Sequence, residues 1–98
     1  MTITKTQNGS SCTLHIEGRL DTSSAPQLDS EIKSVSADVT DLILDFETLD
    51  YISSAGLRVL LAGHTDMNER GKMTLSNVST VIMEIFEVTG FSDILNFS

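Results

Sequence analysis

The run Leu42-Ile43-Leu44, inside Asp41 to Phe46, constrains the fold more than any other stretch of the chain. Consecutive apolar residues between polar borders read as a strand buried on both faces. Such a strand sits centrally in a sheet with helices packed over it. The flanking segments agree with that reading. Cys12 to Gly18 alternates, with Cys12, Leu14 and Ile16 on one side and Thr13, His15 and Glu17 on the other, as a half-buried strand requires. Ile3 to Thr6 fits a short strand before it, and Asn8-Gly9 between them is a hairpin turn signal. Ala25, Leu28, Ile32 and Val35 recur at helical spacing and predict a helix from about Ala25 to Ser36. Ser24 and Gln27 match a capping box, and Pro26 is tolerated in the first turn, where its missing N–H needs no partner.

Glu47 to Ile52 reads as a short loop leading to Ser53-Ser54. Leu57, Leu60, Leu61, His64 and Met67 then follow a second helical period that ends near Arg70-Gly71. Lys72 to Asn77 reads as a strand. Ser79 is placed to cap a third helix with Ile82, Ile85 and Phe86 inward, and Gly90 to stop it. Phe91 to Ser98 carries Ile94, Leu95 and Phe97, enough for a short final strand or a docked tail. Strands that alternate with helices imply parallel pairing through right-handed crossovers. The expected fold is α/β: a mixed, mostly parallel sheet with an N-terminal β-hairpin and covering helices. The 98 residues fit one domain, 1–98.

Charge narrows the function. The chain carries 14 acidic and 6 basic residues, a net charge of −8. A polyanion needs a basic patch that releases its counterions, so nucleic acid and anionic membrane surfaces are not expected partners. An acidic surface suits a basic protein partner, or simply keeps the domain soluble. No apolar run is long enough to span a bilayer, and Met-Thr-Ile-Thr-Lys lacks the apolar core of a secretory signal. The one cysteine, Cys12, cannot form an internal disulfide and has no metal-ligand cluster around it. These features point to a cytosolic protein with neither metal nor cofactor.

The chemistry concentrates in Leu49 to Leu61, which leaves the central strand and opens a helix. A helix N-terminus exposes unpaired N–H groups and the positive end of the dipole, and it favours anions such as a phosphoryl group. If Ser53 is the N-cap, its hydroxyl is taken by a first-turn N–H. Ser54 then stands at the first helical position with its hydroxyl free, while Gly56 allows close approach of another backbone. Spacing alone favours plain helix capping for both serines.

Tyr51-Ile52-Ser53-Ser54-Ala55-Gly56-Leu57 closely resembles the phosphorylation loop of anti-sigma factor antagonists of the STAS superfamily. Gly18-Arg19-Leu20-Asp21, Leu42-Ile43-Leu44-Asp45 and Phe86-Glu87-Val88-Thr89-Gly90-Phe91 resemble further family segments, in the same order. The resemblance implies that Ser54 is the phosphoacceptor, with Ser53 the alternative, and that Asp21 lies nearby. It implies that the unphosphorylated domain docks on an anti-sigma factor that is also a serine kinase, which frees the sigma factor. The kinase then uses ATP and Mg²⁺ to phosphorylate Ser54, affinity is lost, and a serine phosphatase resets the switch. Asp21 and Asp50 add repulsion against the phosphate. The docking surface expected is the loop before Ser54 and the outward side of its helix, comprising Asp21, Ser53, Ser54, Ala55, Gly56, Arg58, Val59 and Ala62, with Gly63 also off the core stripe. Sporulation members of the family have a further C-terminal helix and an Asp where this chain has Ser53.

Other readings are weaker. A serine hydrolase needs a base beside Ser54, but the Gly-x-Ser-x-Gly elbow is missing and His64 lies ten residues along the same helix, about 15 Å away in rise. A receiver domain using Asp45 needs an acidic pair on the early strands that this chain does not have. Within the superfamily, a non-switched adaptor subunit of a transporter or signalling scaffold is the alternative. Co-purification with a transporter ATPase rather than a sigma-regulating kinase distinguishes it.

Overall fold

A computed structural model describes residues 1–98. Strand β1 (Thr2–Asn8) and strand β2 (Ser11–Leu20) form the expected antiparallel hairpin, and Gly9 takes the left-handed turn conformation at φ 63°. Then follow α1 (Ala25–Lys33), β3 (Asp41–Asp45), β4 (Leu49–Ile52), α2 (Ser54–Asn68), β5 (Lys72–Ser76), α3 (Thr80–Thr89), a single 3₁₀ turn (Phe91–Asp93) and β6 (Asn96–Phe97). The main sheet runs β1-β2-β3-β5-β6, parallel throughout except for the opening hairpin. The fold class read from the sequence is therefore the one observed.

Two expectations about the strands need correction. Glu47 to Ile52 is not all loop: Leu49–Ile52 is β4, and it pairs in parallel with the far end of β2. Residues Ser11 to His15 of β2 pair with β3, while Gly18 to Leu20 pair with β4. The switch happens at Gly18, whose φ of 102° only glycine adopts readily, and the register shifts between Gly18 and Arg19. Strands β3 and β4 thus share one side of β2 in succession, joined by a tight turn in which Leu49 N–H donates to the Phe46 carbonyl at 3.0 Å.

The central strand is also not buried on both faces. Leu42 and Leu44 are fully buried, but Ile43 is half-buried, flanked by Thr13 and Thr74 in register. One face of the sheet, carrying Cys12, Leu14, Ile16, Leu42, Leu44, Met73 and Leu75, builds a single cluster of 22 buried apolar residues with the helices. The other face is open and largely polar. Only the covered face needs hydrophobic residues, so the strands alternate.

The helices start and stop where chemistry dictates. Ser79 accepts from Ile82 N–H at 3.3 Å, and Gly90 ends α3 in the left-handed conformation at φ 83°. Helix α1 ends at Lys33, three residues early, although Val35 stays buried. The Ser24–Gln27 capping box does not form. The Ser24 hydroxyl instead turns back, donating to the Arg19 carbonyl at 2.6 Å and accepting from Asp21 N–H at 2.9 Å. Phe97 on β6 packs its ring 5.6 Å from that of Phe86, so the C-terminal segment is both a short strand and a docked tail. No helix is long and apolar enough to cross a membrane.

Candidate functional site at the start of the second helix

Strand β4 exists to deliver α2. Leu20 pairs with Ile52, and Ser53 N–H donates to the Leu20 carbonyl at 2.9 Å. The end of β2 and the start of α2 are therefore stitched together, with Asp21 leaving one and Ser53 entering the other. Leu57 N–H closes the first helical turn onto the Ser53 carbonyl at 3.0 Å. Gly56 is buried against Leu20 and Ile52, which presses this turn onto the sheet. Its role is packing against side chains, not approach of another backbone, and it is unavailable as a docking surface.

Ser54 is exposed at the first position of α2. Ser53 is the N-cap residue in backbone conformation, but its hydroxyl makes no cap bond and is buried without a partner. The expected first-turn bond from Ser53 is thus absent. Ser54 remains the more accessible hydroxyl, now because Ser53 Oγ is enclosed rather than because it is occupied.

Asp21 is held by its own turn. Its Oδ1 accepts from the Ser23 hydroxyl at 2.9 Å and from the Ser23 and Ser24 N–H groups at 3.1 Å each. The Ser23 hydroxyl, followed by Ser24 N–H, keeps the carboxyl below its ordinary value. A fixed negative charge thus stands across from the helix start. Arg19 lies with its guanidinium carbon 4.1 Å from the centre of the Tyr51 ring and its Nε 3.7 Å from Asp21 Oδ2. Arg19 and Tyr51 are register partners, which nothing local in the sequence reveals.

Along α2 the exposed side differs from the helical stripe read from the sequence. Buried are Gly56, Leu57, Leu60, Gly63, His64 and Met67. Gly63, expected outside, faces Ile32 and Met73; Leu61, expected inside, is 38% exposed. Arg58 and Ala62 are exposed as expected, and Ala55 and Val59 are half-buried against the core. Ser54, Arg58, Leu61 and Thr65 therefore follow one another along the solvent side at spacings of four, three and four. His64 is buried, with Nε2 3.3 Å from Asn68 Nδ2.

A separate polar cluster lies at the end of β3. Asp45 Oδ2 is 2.8 Å from His15 Nδ1, and Oδ1 accepts from Asn77 Nδ2 and Glu47 N–H at 3.0 Å each. Burial opposes ionisation of Asp45, yet the bonds from Asn77, Glu47 and His15 win and hold its carboxyl low. This cluster closes the β3–β4 turn and pins Asn77, which has a left-handed φ of 55°.

The α/β fold just described, with Ser54 exposed at the start of α2, can be set beside known proteins. The STAS domain family model matches residues 2–98, and the chain belongs to that family. It is 35% identical over 81 residues to BtrV of Bordetella bronchiseptica, named a candidate anti-sigma factor antagonist, covering 81% of this chain and 70% of that protein. It is 28% identical over 93 residues to the anti-sigma-B factor antagonist of Bacillus subtilis, covering 94% and 85%. The crystal structure of an anti-sigma factor antagonist from Mycobacterium paratuberculosis superposes with a TM-score of 0.87 at 20% identity, over 98% of this chain and 83% of that one.

Proposed function

We propose that this chain is an anti-sigma factor antagonist that works by partner switching. Its unphosphorylated form binds an anti-sigma factor serine kinase and so releases the sigma factor. Phosphorylation of Ser54 ends that binding, and a serine phosphatase restores it. The observation that carries the reading is the position of Ser54: an exposed hydroxyl on a first turn fixed to the core by Gly56 and Leu57. In the transfer, Ser54 Oγ bonds to the γ-phosphorus of the kinase's Mg²⁺-bound ATP. The bond from that phosphorus to the β-phosphate oxygen breaks, ADP leaves, and the hydroxyl proton passes to a base on the kinase. This chain contributes the acceptor and no catalytic group.

The docking face is the solvent side of α2 with Asp21 beside it. Ser54, Arg58, Leu61 and Ala62 form it, with the edges of Ala55 and Val59. Phosphorylation places about −1.5 to −2 charges in the middle of that face. The helix start tolerates the anion, so the domain keeps its fold. A bound partner meets bulk, a desolvation cost and the fixed charge of Asp21. A loss of about 3 kcal/mol lowers affinity more than a hundredfold.

The test is mass spectrometry after incubation with the cognate kinase and ATP, with kinase binding measured for Ser54→Ala and Ser54→Asp. The expected result is one phosphate on Ser54, retained binding by the Ala variant and weakened binding by the Asp variant. Tight kinase binding by Ser54→Asp, or a phosphate placed elsewhere, overturns the switch.

A further inference from the structure

Arg58 is the one cation on the docking face that has no partner. The chain has six basic side chains. Arg19 is committed to Tyr51 and Asp21, Lys33 to Asp29 at 2.9 Å, and Arg70 to the Ser36 carbonyl at 2.7 Å. Lys5 lies in the middle of edge strand β1, and Lys72 opens β5, beyond the opposite end of α2 from Ser54. Arg58 is exposed, makes no ion pair, and stands four residues after Ser54 on the same helix.

We propose that Arg58 captures the phosphoryl group of phosphorylated Ser54 as an intrahelical pair, so that modification removes a cation from the docking face as well as adding an anion. The inference rests on Ser54 being the acceptor. Residues four apart on a helix face one another with Cβ atoms about 5–6 Å apart, and the favourable order places the anion N-terminal to the cation. The guanidinium fork matches two phosphate oxygens at once, which an ammonium cannot do. In the unphosphorylated protein Arg58 projects freely and is available to an acidic group of the partner. After phosphorylation the same fork is occupied within the chain. The two changes act in one direction, and the second requires no movement of the backbone.

The experiment installs phosphoserine at position 54 during synthesis, so no kinase is needed, in the wild-type chain, Arg58→Lys and Arg58→Gln. Phosphorus NMR titration reads the second ionisation of the phosphate. Capture favours the dianion, so the titration midpoint of Arg58→Gln should lie above that of the wild type by roughly 0.3 pH unit, with Arg58→Lys between them. Thermal unfolding of the unphosphorylated proteins should be the same for all three, because Arg58 has no partner to lose. Equal midpoints in wild type and Arg58→Gln overturn the capture. Failure of the kinase to modify Ser54 in the unmodified protein is a different outcome: it overturns the switch while the titration still decides the pair.

Discussion

Replacing Gly56 by alanine tests whether the helix that carries Ser54 is held down as tightly as its packing indicates. A Cβ at this position would stand 2.7 Å from Leu20 Cγ and 3.0 Å from both Leu20 Cδ2 and Ile52 Cγ1. Carbon atoms in contact prefer about 3.5–4.0 Å, so the branch carbon of Leu20 must retreat by about 0.8 Å. It has nowhere to go: Leu20 is 0% exposed and Ile52 3%. Overpacking of this kind costs about 1–3 kcal/mol. Alanine recovers about 0.8–1.0 kcal/mol through its higher helix propensity. The net expectation is a loss of roughly 1 kcal/mol, which for a chain of this length lowers the melting temperature by about 4–8 °C. Gly63→Ala is the internal control. Its methyl would meet Ile32 Cδ1 at 3.1 Å and Met73 Sδ at 3.2 Å, atoms at or near the flexible ends of their side chains. There the propensity gain roughly cancels the crowding. The assay is urea unfolding followed by far-ultraviolet circular dichroism and by the fluorescence of Tyr51. With one tyrosine and no tryptophan, that fluorescence reports from β4, beside the perturbed turn. Coincident curves from the two probes validate a two-state reading. A Gly56→Ala protein as stable as wild type, or a Gly63→Ala protein less stable than Gly56→Ala, refutes the packing argument.

Ser79→Ala removes a working cap and should cost about 1 kcal/mol, whereas Ser53→Ala removes a buried hydroxyl with no partner and should leave stability unchanged or raise it, by up to about 1–3 kcal/mol; urea midpoints of the two variants decide. Asp45 titrates below its ordinary value of 3.8 in the folded chain, so its contribution is complete above that value and is lost as pH falls through the lowered folded one. Unfolding free energies measured down an acid series should therefore fall less steeply for Asp45→Asn than for wild type, from a lower starting point. Leu61→Ser should shift the melting temperature by no more than about 2–4 °C, because surface changes stay within about 0.5 kcal/mol, yet weaken kinase binding in a pull-down or calorimetric titration. Unchanged kinase binding would remove Leu61 from the docking face.

Much of this was legible from local rules, and the misses share a cause. Ser79 and Gly90 delimit α3 because a cap and a left-handed stop are decided by one or two residues. The fourth strand escaped because its burial runs in-out-out-in from Leu49 to Ile52, which defeats a period of two. That pattern follows from the register shift at Gly18, thirty residues away. Ile43 misled because an apolar run looks the same whether one or both faces of a sheet are covered. The exchange of Leu61 and Gly63 on α2 follows from the close packing of α2 against α1 and β5: where Ile32 and Met73 fill the space, glycine belongs inside and leucine outside. The Ser24 cap failed because Asp21, three residues before it, organises the same turn with its carboxylate. Each correction depends on a neighbour distant in sequence or on two polar groups competing for one place.

If Ser54 is the phosphoacceptor, as proposed, the arrangement around it would let a partner read the added charge without the fold feeling it. Beneath the serine, Leu20, Ile52, Gly56 and Leu57 are all buried, and the β2–β4 pairing ties them to the sheet. Above it there is only solvent, with Arg58 one turn along and Asp21 across the gap. Interaction energy between charges grows as the surrounding dielectric falls. A phosphate on the free protein is therefore screened by water, and one trapped under a docked partner is not. The same substituent costs little in isolation and much in the complex, which is the asymmetry a binding switch requires.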